Sequence, residues 1–151
     1  MFWKPYRASQ VPYEKLTHLF HAFIAPHADG SITYPDFFTG EKLPETAHKH
    51  HVRVVASIGG ASNDAANNFR KISSDKKATA KFAENVEKFL RENYYDGIDI
   101  DWEFCESASD REGLNRMIKA LSDKFKSSPA PAPDWLITIA ATSTAHYGQW
   151  Y

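Results

Sequence analysis

Residues 95–104 read YDGIDIDWEF, with three acids, Asp99, Asp101 and Glu103, at alternate positions and Ile98, Ile100 and Trp102 between them. In a β-strand successive side chains point to opposite faces, so this spacing sorts the two sets completely. One face carries Ile98, Ile100 and Trp102, and the other carries three carboxyl groups. Burying such a ladder is costly, because like charges a few ångströms apart push at least one pKa upward. Groups of this kind persist mainly where a proton must be handled. The competing reading is a surface strand that is wet on its acidic side. Gly97 before the ladder and Trp102 within it are unusual on a solvated face and favour the buried reading.

On the N-terminal side, residues 52–58 (VRVVASI) read as a buried strand closed by Gly59 and Gly60, and residues 17–24 (THLFHAFI) as an earlier one. Asp29-Gly30 marks a turn, and Pro44 suits the first turn of a short helix running to about His50. A long helical region precedes the acidic strand, with Phe82, Val86, Phe89 and Leu90 on one stripe. On the C-terminal side, a helix carries Leu114, Met117, Ile118, Leu121 and Phe125 on one face. Residues 127–133 (SSPAPAP) read as an extended connection rather than an interdomain linker, because residues 136–141 (LITIAA) resume as a buried strand. There is no convincing tandem repeat and no charge block.

Strands and helices alternate, and the strands are almost continuously apolar. That pattern predicts a parallel sheet covered by helices, either an open doubly wound sheet or part of a (β/α)8 barrel. An open sheet would drive three acids into a helix interface. In a barrel, Ile98, Ile100 and Trp102 face the helices, while the acids point inward, toward the C-terminal mouth where such barrels keep their reactive groups. The expected fold is therefore α/β, of the TIM (β/α)8-barrel type. A full barrel takes about 250 residues, so the 151 residues here are expected to form an incomplete one of about four βα units, in a single domain over residues 1–151.

Composition adds limits. The chain is 42% hydrophobic and 25% charged, with a formal net charge of -1, which gives no general attraction to nucleic acid or anionic lipid. No stretch approaches the roughly 20 apolar residues of a membrane span. The first ten residues lack a basic-then-apolar signal pattern. The single cysteine, Cys105, excludes an internal disulfide. Aromatic residues make up 14%, which suits either a packed core or stacking on sugar rings. The cluster His48, His50 and His51 reads as a solvated patch, without the acid or cysteine spacing of a zinc site. No metal and no cofactor are expected.

Asp96-x-x-Asp99-x-Asp101-x-Glu103 resembles the DxxDxDxE signature of glycoside hydrolase family 18, the chitinases and their endo-β-N-acetylglucosaminidase relatives. Residues Ser57-Ile58-Gly59-Gly60 resemble that family's SxGG motif at the end of its third strand, and His21-Ala22-Phe23 its Y-A-F with His in place of Tyr. The resemblance implies that Glu103 is the general acid that protonates the glycosidic oxygen. It also implies that the substrate's own 2-acetamido oxygen is the nucleophile, giving an oxazolinium and net retention. Asp101 would orient the acetamido N–H and share a proton with Asp99, a buried modulator. Asp96 and Ser57 would be structural supports, Ser57 by bonding to Asp99, and Gly59 and Gly60 would allow close backbone approach beside the sugar. Phe23 and Phe104 border the sugar subsites by the same resemblance, and each reads equally well as core. Trp3, Trp150 and Tyr151 are candidate stacking platforms or packing residues.

Cys105 stands where many relatives have Pro, and Ala61 where many have Trp. Matched element by element, the chain is expected to run from just after the family's first strand to just after its fifth. The family's Tyr and Asp from the sixth strand and Trp from the last would then lie outside it. The expected partner is chitin or an N-acetylglucosamine oligosaccharide, and the expected setting is extracellular. The alternatives are an enzyme acting on N-glycan cores and a non-catalytic sugar-binding fragment, against which the presence of Glu103 argues. Exposed sheet edges and an open inner face also predict self-association.

Overall fold

The computed structural model describes residues 7–129 and 134–143. Two 3-10 turns, Ala8–Gln10 and Tyr13–Lys15, lead into strand β1 (His18–Pro26), which turns back on the two-residue β2 (Ile32–Thr33). Helices α1 (Phe37–Gly40) and α2 (Leu43–His48) precede β3 (Arg53–Gly60), and α3 (Asn63–Ser74) and α4 (Lys76–Asn93) precede β4 (Gly97–Trp102). Helix α5 (Ala108–Ser127) and β5 (Leu136–Ile139) complete the described elements.

The acidic strand has the limits its alternation predicts. The helical region before it is two helices rather than one. Asp75 between them has an extended backbone, and its carboxylate accepts the Ala78 N–H at 2.8 Å, capping α4 and ending any continuous run from α3. Ser62 and Ser107 cap α3 and α5 in the same way. The first strand continues two residues past the expected Ile24, and the last stops at Ile139. Trp3, Trp150, Tyr151 and residues 130–133 of the proline-rich connection lie outside the described residues.

The sheet order is β2-β1-β3-β4-β5, with β1, β3, β4 and β5 parallel and β2 antiparallel at the edge. Each parallel strand lies beside its predecessor with no reversal of order. A doubly wound sheet reverses at a switch point, so this is a singly wound, barrel-type sheet of four parallel strands. Right-handed crossovers then place the covering helices on one side. On that side Ile98, Ile100 and Trp102, with Val54, Ala56 and Ile58 of β3, pack against Phe69, Ile72, Phe82, Val86, Leu90, Leu114, Met117 and Leu121. The Trp102 ring lies 5.4 Å from that of Phe69. Burial of each large apolar side chain here contributes about 1.5–3 kcal/mol to stability.

Register fixes the other face. Ser57 lies opposite Asp99, and Asp99 opposite Thr138; Gly59 lies opposite Asp101. These residues share the face away from the helices. Phe20 of β1, opposite Val55 on this same face, is 53% exposed.

Candidate active site

Asp99 is buried, and both of its oxygens are engaged. Ser57 Oγ donates to Oδ2 at 2.8 Å and Thr138 Oγ1 donates to Oδ1 at 2.7 Å. The central acid is thus held from both neighbouring strands. Asp101 differs: it is 9% exposed, and its Oδ1 is buried with no hydrogen-bond partner among the described residues. Burial, and then the negative charges of Glu103 and Asp99, push its pKa up to about 6. Glu103, one residue past the end of β4, is half-buried at the strand's C-terminal mouth.

Glycine permits this spacing. Gly59 has φ +115°, and a Cβ there would run into the carbonyl oxygen of Asp101. Only a residue without a side chain lets β3 close on the acidic strand at that point. Gly60, at φ +83°, lies under the ring of Phe23. Phe23 and Phe104 are 46% and 42% exposed, so neither is core. The peptide bonds Ala22–Phe23 and Glu103–Phe104 are cis.

Asp96 sits at the opposite end of the strand, where Oδ2 accepts the Val54 N–H at 2.6 Å and meets His48 Nε2 at 2.7 Å. It pins the start of β3 to the acidic strand and is remote from the mouth. His48, His50 and His51 are all exposed, as a solvated cluster would be, but they do not act alike. His48 is committed to Asp96, and His50 stacks on Tyr13 with ring centroids 4.8 Å apart. Among the described residues no group of three or more His, Cys, Asp or Glu side chains could hold a metal ion. His21 belongs to the helix side. Tyr95 Oη donates to the Phe38 carbonyl at 3.1 Å, so the 2.7 Å contact with His21 must be donated by Nδ1. Burial holds the His21 pKa down at about 4, consistent with a neutral ring. Cys105 is buried, and burial pushes its thiol up to about 12, far from a reactive thiolate.

Sequence reasoning passed over two features. Thr138 reads locally as one polar residue in an apolar strand, and only the register with β4 reveals it as the second donor to Asp99. Arg70 and Asp110, which meet beside the segment following Glu103, are 40 positions apart and carry no local signal.

The assembled site holds a carboxyl with an elevated pKa, a buried neighbour whose oxygens accept from two hydroxyls, and a third carboxyl just past the strand's end, next in sequence to the exposed Phe104. A buried acceptor oxygen without a donor suits a ligand that brings its own N–H or O–H.

Known chitinases resemble this chain along most of its length. Chitinase 1 of Aphanocladium album is 24% identical over 166 residues, spanning 93% of this chain and 39% of that protein. The Group IV chitinase structure from Ostrinia furnacalis matches with a TM-score of 0.84 at 18% identity, over 96% of this chain and 41% of that one. A family 18 chitinase mutant from Cycas revoluta in complex with (GlcNAc)4 matches with a TM-score of 0.82 at 22% identity, over 90% and 42%. The chain thus spans about two fifths of the length of these three relatives. The model of the Glycosyl hydrolases family 18 matches residues 1–151, the whole chain, and the protein belongs to that family.

Proposed function

We propose that this chain forms part of a chitinase-type catalytic domain that cleaves β-1,4-linked N-acetylglucosamine oligomers, with retention and by substrate assistance. The observation that carries this reading is Asp101 Oδ1: a buried acceptor with no donor among the described residues, on a carboxyl whose pKa is raised to about 6 and two positions before Glu103. A 2-acetamido N–H is a donor of the kind that oxygen lacks. Glu103 gives its proton to the glycosidic oxygen as the C1–O bond breaks, and the acetamido oxygen forms the new bond to C1 from the opposite face. Asp101 accepts the acetamido N–H and steadies the positive charge of the oxazolinium. Water then opens the ring at C1 and returns a proton to Glu103. Asp99, held by Ser57 and Thr138, stands fixed behind Asp101. Phe23 and Phe104 offer ring faces to the sugars. The reading includes action outside the cell, where the polymer is found.

The test is Glu103→Gln in the full-length protein with chitotetraose as substrate. Turnover is expected to fall at least about a thousandfold, with oligosaccharide affinity retained by calorimetry. Undiminished turnover in the variant would remove Glu103 from its role. Binding without turnover in the native protein would favour the non-catalytic alternative.

A further inference from the structure

The segment joining β4 to α5 carries Phe104, Cys105 and Glu106 directly after the acid, and a single guanidinium reaches it from α3. Arg70 Nη2 donates to the Phe104 carbonyl oxygen at 3.2 Å and to Glu106 Oε2 at 3.3 Å. The same guanidinium forks onto Asp110, Nε to Oδ1 and Nη2 to Oδ2, each at 3.1 Å. Asp110 Oδ2 also accepts the Glu106 backbone N–H at 3.0 Å, and the Asp110 N–H donates to Ser107 Oγ at 3.1 Å. The backbone is therefore tied on both sides of Cys105, the 104 carbonyl to Arg70 and the 106 amide to Asp110. Cys105 has no ring to fix its own φ, as a proline would, so the path of this segment depends on outside contacts.

We propose that Arg70, seated on Asp110, is a positioning residue for the acid: by holding the peptide group after Phe104, one residue beyond Glu103, it sets the direction of the Glu103 carboxyl. The proposal deepens the hydrolase reading and rests on it for the kinetic consequence. The geometry supports positioning over general stabilisation. The Arg70 side chain is 36% exposed, and ion pairs that open to solvent add little to global stability. Its value lies in the planar fork, which addresses a carboxylate with two nitrogens while one of them also reaches a backbone carbonyl. Lysine offers one point charge and cannot make both contacts in fixed geometry. A misplacement of about 1 Å at a reacting group can cost up to about a hundredfold in rate, so a small shift of this segment is felt at the proton and much less in sugar binding.

The experiment uses Arg70→Gln and Arg70→Lys in the full-length protein, with two readouts. With chitotetraose, Arg70→Gln is expected to lower kcat about tenfold with KM unchanged, and Arg70→Lys to recover only part of the loss. In amide hydrogen exchange, protection at Cys105 and Glu106 should fall about tenfold while the core of α5 stays protected. Unchanged exchange at these amides overturns the proposal, as does a native kcat in Arg70→Gln despite lost protection. A fall in KM-dependent binding equal to the fall in rate also overturns it, because that pattern belongs to sugar contact. If the native protein itself turns over no chitotetraose, the hydrolase reading fails, while the exchange readout still decides whether Arg70 holds the segment.

Discussion

Replacing Asp101 by Asn removes a charge that the fold carries at a cost, and the variant is expected to be more stable than the native protein at and above neutral pH. Asp101 is 9% exposed, its Oδ1 lacks a partner among the described residues, and its pKa stands at about 6 against 3.8 for the ordinary side chain. A carboxyl whose pKa rises on folding holds its proton more tightly in the folded state. Its contribution to stability is fully present below about pH 4 and is lost as the pH climbs through about 6. A rise of about two units corresponds to about 2–3 kcal/mol. His21 acts in the opposite sense over the same range. Its pKa falls from 6.5 to about 4 by burial, so its share of stability is present above about pH 6.5 and is lost as the pH drops toward 4. The two trends oppose each other in the native profile, whereas the difference between variant and native isolates Asp101. Urea unfolding between about pH 4 and pH 8 measures that difference. It should grow by about 2–3 kcal/mol in favour of Asp101→Asn across the range. A flat difference, or one growing in favour of the native chain, refutes the reasoning. Gained stability with lost turnover would mark Asp101 as a residue kept for chemistry rather than for folding.

Ser57→Ala and Thr138→Val each leave one Asp99 oxygen without its donor, and each is expected to destabilise the fold by about 1–3 kcal/mol at neutral pH. The double variant should depart from additivity, since both donors serve one carboxylate; additive losses below about 0.5 kcal/mol each would show that water replaces them freely. Phe20 exposes an aromatic ring on the face away from the helices, so a protein made of residues 1–151 is expected to associate as its concentration rises. Phe20→Ser should weaken that association in sedimentation velocity, and a monodisperse native monomer at every concentration would defeat the expectation.

Much of the fold is legible because the strongest signals are local. Residues 97–102 announce a strand through strict alternation, and the face assignment of Trp102 follows from it. The SxGG segment shows its close approach because two glycines after an apolar strand have few other uses. What stays hidden depends on register or on distance in the chain. Asp75 divides α3 from α4, yet an acid between lysine-rich and polar stretches resembles an ordinary exposed helical residue. Thr138 gains its meaning only when β5 pairs with β4 at one particular register. His48 looks like part of a histidine run until the sheet brings Asp96 to within 2.7 Å. Arg70 and Asp110 lie on different helices, and no periodicity links them. Local rules find the acidic strand, and only three-dimensional neighbours show what holds it.

The acidic strand draws its supports from close by: Ser57 and Gly59 on one neighbouring strand, Thr138 on the other, and Val54 and His48 at its base. Such an arrangement has an evolutionary consequence. On the hydrolase reading proposed above, the acids and their supports can be inherited as one unit, while loops and strands elsewhere in a barrel are exchanged to suit longer, shorter or differently decorated sugars. On that reading a lineage changes the sugar it takes without altering how the acids are held.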